Sequence, residues 1–213
     1  MSDLQKILVF DNHEIVYSGI QLILQSSDTK FDFMNCKGED ECFKLLKKQN
    51  FDLIIMEVNL YNIDTYQLIG LILINNPKQK ILMFSMSSEE LYAKRFLKLG
   101  ALGFVSKQAT NEEFKNAVFT VLNGETYVST NLSKIFTQDI IRGNNSVNGF
   151  DKLTSREFEI MSCFLQGKGS KEICNIMHLH SSTIGTYKCR IFKKLGVKNL
   201  LELQEMAQLH GIK

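Results

Sequence analysis

Five short apolar runs, each followed by an amphipathic stretch, fill residues 1–123 and restrict the fold more than any other feature of the chain. The runs Lys6–Phe10, Phe31–Asn35, Leu53–Met56, Lys80–Phe84 and Gly103–Val105 predict strands, and the segments near 13–26, 38–49, 65–75, 88–99 and 111–123 predict helices. Around Ile54 and Leu82 the runs are almost continuously apolar. That pattern belongs to parallel strands covered on both faces, where alternation has no solvent side to mark. Parallel neighbours need crossover connections, so five βα units predict an α/β doubly wound parallel sheet of (βα)5 type. In such a sheet functional groups gather beyond the carboxyl ends of the strands.

The chain has 213 residues, enough for a second domain. The βα pattern stops before Arg142–Phe150, RGNNSVNGF, a Gly, Asn and Ser-rich stretch without periodicity that reads as a linker. Ser129–Ile141 has room for one further helix, and 153–211 shows four helical segments with no strand pattern. The expected division is 1–124, a linker at 125–149, and an all-α domain at 150–213. Charge divides with it: 151–213 carry 10 Lys/Arg against 6 Asp/Glu, whereas 1–150 carry 15 against 17. A basic module behind a mildly acidic one suits a nucleic-acid reader attached to something else.

Other classes find little support. No apolar run is long enough for a bilayer, and MSDLQKILVF enters the first strand without a basic region, long apolar core or cleavage site, so a cytoplasmic protein is expected. Cys36, Cys42, Cys163, Cys174 and Cys189 contain no CxxC pair and read as buried or half-buried reduced thiols. His13, His178, His180 and His210 form no ligand spacing with them, so zinc is not expected. The first strand lacks a glycine-rich phosphate loop, and no cofactor is expected.

In the last domain, Leu153-Thr154-Ser155-Arg156-Glu157 is a helix start: Thr154 can cap the first turn and Glu157 can reach back in a capping box. Phe158, Met161, Cys163, Phe164 and Leu165 supply its apolar faces, and Gly167-Lys168-Gly169 ends it. Ser170–Met177 follows, with Ile173, Ile176 and Met177 expected inward. A turn at His178–Ser181 leads to a third helix, about Ser182 to Leu195, stopped by Gly196; a fourth runs Leu200–His210 to Gly211. Two short helices around a tight turn, the second carrying Thr186, Lys188, Arg190, Lys193 and Lys194, have the layout of a helix-turn-helix. The residues LTSREFEIMSCFLQGKGSKEI, SSTIGTYKCRIFKKLGVKN and LQEMAQLHGI resemble the LuxR-type DNA-binding domain almost end to end. The resemblance implies that Gly185, Thr186 and Cys189 lie on the groove-facing side, beside Thr183 of the ST-I-x-T motif. It implies phosphate contacts from Lys171, Ser182, Lys188, Arg190 and Lys193. The family commonly has Lys at 185 and His at 187, where this chain has Gly and Tyr. The fourth helix, with Leu200, Leu203, Met206, Ala207 and Ile212, resembles the family's dimerisation helix; core packing is its other reading.

In the first domain the strands end at Asp11-Asn12-His13, Glu57, Ser85 and Ser106-Lys107, which puts two acids, a hydroxyl and a lysine at one sheet edge. With ILVFDNHEIVYSGI and GALGFVSK, that set resembles the flavodoxin-like receiver of two-component response regulators, and the whole chain resembles the NarL/FixJ subfamily. The resemblance implies Asp11, Ser85 and Lys107 in their usual places, Phe104 at the aromatic switch position, and Mg²⁺ beside a phosphoaccepting aspartate. Two positions depart. The acceptor position is Glu57, and the second acid is Asn12. Glu57 is one methylene longer than Asp, displaced from the in-line position and reaching further toward Lys107. Asn12 removes an anionic ligand, so a degenerate, metal-free site is expected. Leu60–Thr65 also lacks the Met-Pro and Asp-Gly of relatives. The expectation is therefore a non-enzymatic pseudo-receiver. It would set the geometry of a homodimer that binds double-stranded DNA without conventional phosphorylation, with any upstream kinase or regulatory partner left open. The alternative is a protein-interaction adaptor whose DNA binding is secondary.

Overall fold

The structure is a computed structural model that describes residues 4–61, 63–141 and 149–209. The chain separates into two compact units, Met1–Ile135 and Phe136–Lys213.

The first unit alternates β1 (Gln5–Phe10), α1 (Glu14–Gln25), β2 (Phe31–Cys36), α2 (Glu39–Lys48), β3 (Leu53–Met56), α3 (Thr65–Asn75), β4 (Ile81–Ser85), α4 (Glu89–Leu99), β5 (Gly103–Ser106) and α5 (Asn111–Leu122). The strands form one parallel sheet in the order β2-β1-β3-β4-β5, with Val9 opposite both Asn35 and Ile55, and Ile55 opposite Leu82. The α/β doubly wound architecture is as expected. All four residues of β3 are buried, as a central strand covered on both sides requires. On one face Val9, Ile55, Leu82 and Val105 pack with Ile20 and Leu24 of α1 and with Phe114, Ala117, Val118 and Val121 of α5. Gly103 is held to glycine by packing, because a Cβ there would lie 2.8 Å from Leu82 and 3.2 Å from Tyr127.

β4 starts and ends one residue later than the apolar run predicts. Ser85 pairs with Ser106 in the ladder, so sheet pairing carries the strand past its hydrophobic segment. β2 and β5 also extend by one residue at their carboxyl ends, to Cys36 and Ser106. Caps set the helix starts: Asp64 accepts from the Tyr66 and Gln67 amides, and Thr110 with Glu113 closes a capping box on α5. A helix α6 (Thr130–Ile141) occupies the place the sequence allowed for one. Residues 142–148 of the expected linker, and Asn62, lie outside the described residues. The end of that linker needs correction: Gly149–Lys152 forms a 3-10 turn with Phe150 only 2% exposed, because its ring packs into the second unit's core.

The second unit contains α7 (Ser155–Leu165), α8 (Ser170–Met177), α9 (Ser181–Leu195) and α10 (Leu200–Leu209). α7 is the central helix, buried from Phe158 to Phe164, and α9 turns Ile184, Ile191 and Leu195 inward. Three expectations are corrected here. α9 begins one residue early, at Ser181. Ile176 is 49% exposed, since the short α8 buries Ile173 with Cys174 and Met177 half-buried beside it, and Ile176 falls outside that stripe. Cys189 is exposed, on the outer side of α9, rather than buried or half-buried. In α10, Leu203 and Ala207 turn into the core, whereas Leu201 is 63% exposed. His210, Gly211 and Ile212 lie outside the described residues.

Glu157 ties two helices together. It is 3% exposed, its Oε2 accepts from the Thr154 amide at 2.8 Å, and Lys194 Nζ of α9 lies at 2.5 Å from the same atom. Burial pushes its pKa up, but the Lys194 ammonium and the Thr154 groups outweigh that and hold it below the ordinary 4.5. A depressed folded-state pKa means that this stabilisation is present above pH 4.5 and lost as pH falls through the folded value. The urea midpoint of the second unit is therefore expected to drop on acidification below pH 4.5. Glu157→Gln should flatten that decline, and an unchanged acid profile in the variant would refute the assignment.

Candidate functional site

The carboxyl ends of β1, β3, β4 and β5 bring Asp11, Glu57, Ser85 and Lys107 together. Asp11, Glu57 and Ser85 are buried, at 2%, 7% and 0% exposure. Lys107 Nζ lies 2.5 Å from Asp11 Oδ2 and 2.6 Å from Glu57 Oε2, bridging the two carboxylates. Ser85 Oγ donates to Glu57 Oε1, which also accepts from the Val58 amide at 2.7 Å and the Asn59 amide at 3.2 Å. Burial by itself would pull the Lys107 pKa down. Hydrogen bonds and charge from Asp11 and Glu57 overcome it, so the ammonium is held above its ordinary value.

The added methylene of Glu57 lets one carboxylate touch the β4 hydroxyl and the β5 lysine at once. Asn12 takes no part in that cluster. Its Nδ2 donates to the Asn59 carbonyl at 3.0 Å, and its Oδ1 accepts from the Tyr61 amide at 3.2 Å, clipping the loop after β3 to the end of β1. Asn59 Nδ2 in turn donates to Ser87 Oγ at 2.9 Å, and the Ser87 amide donates to Ser85 Oγ at 3.0 Å. Asn59 and Ser87 are members of this network that sequence reasoning did not single out. No short motif marks them, because their roles depend on two loops meeting. Phe104 is fully buried in β5.

These residues do not fit the Mg²⁺ that the receiver resemblance implies. Mg²⁺ demands a near-octahedral set of oxygens at about 2.0–2.1 Å. Asp11 Oδ1 already accepts from the His13 amide at 2.8 Å, and its Oδ2 faces Lys107. Both Glu57 oxygens are engaged as described. The Lys107 charge sits between the carboxylates, and Asn12 presents an N–H donor to the nearby carbonyl oxygen. Among the described residues no group of three or more His, Cys, Asp or Glu side chains is arranged to hold a metal.

The second site lies along α9. Ser182, Gly185, Thr186, Cys189, Arg190 and Lys193 are all exposed, at the three- and four-residue spacing that makes one helix face. Thr183 is half-buried at the start of the helix, and Lys171 is exposed in the first turn of α8. Lys188 departs from this face. It is half-buried, with Nζ 5.4 Å from the Phe192 ring centroid and 5.7 Å from that of Phe164, a cation–π position against the core. Lys194 belongs to the ion pair with Glu157. Thr186 Oγ1 donates to the Ser182 carbonyl at 3.0 Å.

Comparison with known proteins matches residues 7–119 to the response regulator receiver domain and residues 151–207 to the bacterial regulatory proteins of the luxR family. The chain is 26% identical to the response regulator GacA of Pseudomonas aeruginosa over 207 residues, covering 97% of each protein. It is 28% identical to the oxygen regulatory protein NreC of Staphylococcus aureus, covering 95% of this chain and 96% of that one. In fold it is similar to RcsB of Salmonella enterica serovar Typhimurium bound to promoter P1flhDC in the presence of the phosphomimetic BeF3−, with a TM-score of 0.60 at 22% identity over 95% of this chain and 97% of that one. A parallel receiver sheet with its acid–lysine edge, followed by a luxR-family helical unit, places the chain in the response regulators, in the NarL/FixJ arrangement of the two domains.

Proposed function

We propose that this protein is a non-enzymatic, cytoplasmic transcription regulator that binds double-stranded DNA as a homodimer and holds its receiver in one state without aspartyl phosphorylation. The domain division that goes with this is a pseudo-receiver at 1–124, a linker at 125–149 and a LuxR-type helix-turn-helix at 150–213. DNA binding by a LuxR-type response regulator follows from the family. Among the described residues no helix is long and apolar enough to cross a membrane. The finer claim rests on one observation. Glu57 already contacts the Ser85 hydroxyl and the Lys107 ammonium, the two groups that would otherwise meet a phosphoryl group on a shorter acid. Its carboxylate is held by the Ser85 hydroxyl, the Val58 and Asn59 amides and the Lys107 ammonium, and Asn12 withholds the second anionic charge.

On α9, Ser182, Gly185, Thr186, Cys189, Arg190 and Lys193 form the DNA face, with Thr183 at its start and Lys171 reaching the backbone from α8. We assign Lys188 to the DNA face only if it leaves the aromatic pair that holds it. No observation favours the adaptor reading. The test is duplex affinity of the full-length protein, measured with and without Mg²⁺ and a small phosphodonor. Affinity should fall steeply with salt, stay the same in both conditions, and be accompanied by no acyl-phosphate mass adduct. A stoichiometric adduct, or an affinity raised by the phosphodonor, would overturn phosphorylation independence; absence of salt-dependent binding would overturn the DNA reading.

A further inference from the structure

Gly185 lies inside α9, on its exposed face, and nothing in the second unit calls for glycine there. Its φ is outside the left-handed region that Gly167 and Gly196 occupy, and a Cβ built on it meets no atom within 4 Å. Glycine in an exposed helix interior weakens the helix relative to alanine, because it surrenders more backbone freedom on folding. Folding alone would favour any small side chain at this position.

The surroundings say what the glycine leaves open. Its neighbours on the face are Ser182, Thr186 and Cys189, all short, and the Thr186 hydroxyl is turned back to the Ser182 carbonyl. Lys188, the nearest cation along the helix, is drawn onto Phe164 and Phe192. Long exposed cations begin only with Arg190 and Lys193. The side chains that flank Gly185 on the exposed face are therefore short, with the bulkier Tyr187 half-buried beside Thr186, and Gly185 itself presents bare backbone. Glycine is the residue that lets a backbone approach a ligand closely, and short side chains with a methyl or thiol surface suit the C5-methyl of thymine rather than the bidentate acceptors of guanine.

We infer that Gly185 is a positioning residue of the DNA interface: its missing side chain seats the α9 backbone against the major-groove floor, so that Thr186 and Cys189 read thymine methyl groups. This rests on the DNA-binding reading above.

The test uses full-length protein and duplexes recovered by selection from a randomised library. Gly185→Ala should raise the thermal midpoint of the second unit, yet weaken binding to the selected duplex by about tenfold, with binding to unselected duplex unchanged. Replacing thymidine by deoxyuridine in the selected duplex should weaken wild-type binding in the same range. Wild-type affinity in the alanine variant, a lowered midpoint, or indifference to the missing methyl groups would each overturn the inference. A library that yields no salt-dependent duplex would instead overturn the DNA reading itself.

Discussion

Lys107→Ala is expected to destabilise the first unit by about 3–5 kcal/mol, the range found when one partner of a buried ion pair is removed. Asp11 and Glu57 are 2% and 7% exposed, and the ammonium between them is the charge that makes two buried acids tolerable. Without it the two carboxylates face each other across a low-dielectric gap, with neither negative charge paired to the ammonium that bridged them. Lys107→Met should lose as much, since it keeps most of the volume and none of the charge; a large difference between the two variants would point to packing instead. In the wild type the raised Lys107 pKa sets the pH window of this contribution. Its contribution is complete below the ordinary 10.5 and is lost only as pH rises through the higher folded value, so neutral pH leaves it intact. Urea unfolding followed by circular dichroism measures all of this, and a loss under about 1 kcal/mol in Lys107→Ala would show that the lysine does not hold the edge together.

Ile191→Ala should unfold the second unit while the first stays folded. Ile191 is fully buried on the inner side of α9, beside Ile184 and Leu195, where the helix packs on α7 and α8. Truncating a buried Ile to Ala costs roughly 2–5 kcal/mol. A unit of this size rarely holds more than about 3–5 kcal/mol of net stability, so the loss is comparable to the whole. The expected thermogram shows one transition at its wild-type position and a second moved far down or absent, with duplex binding lost in parallel. A single shifted transition for the whole chain would show that the two units unfold together.

Much of the fold was legible because burial leaves a direct trace in residue order. Strands covered on both faces read as apolar runs, and Thr154 with Glu157 marks a helix start through local hydrogen bonds three residues apart. The misplaced boundaries have the opposite cause. Ser85 and Ser106 are polar residues that join the sheet because each has the other as ladder partner, and Phe150 looks like linker until α9 offers it a core. Ile176 failed in the same way: its apolar character said inward, but an eight-residue helix has only one narrow contact stripe. Of the site, the acids, the hydroxyl and the lysine could be named from strand ends. The Asn12 clip on Asn59 and Tyr61, and the withdrawal of Lys188 onto two rings, could not.

The sequence by itself determined the α/β plan, the helical second unit, the response-regulator kinship and the two departures, Glu57 and Asn12, from the usual acid pair. These are matters of residue type at a spacing that secondary structure converts directly into position. Only the tertiary structure decided what the departures do. Whether one extra methylene leaves Glu57 stranded or lets it touch Ser85 and Lys107 together depends on where three separate strand ends stop. That is set by sheet register and core packing among residues far apart along the chain, such as Glu57 and Lys107.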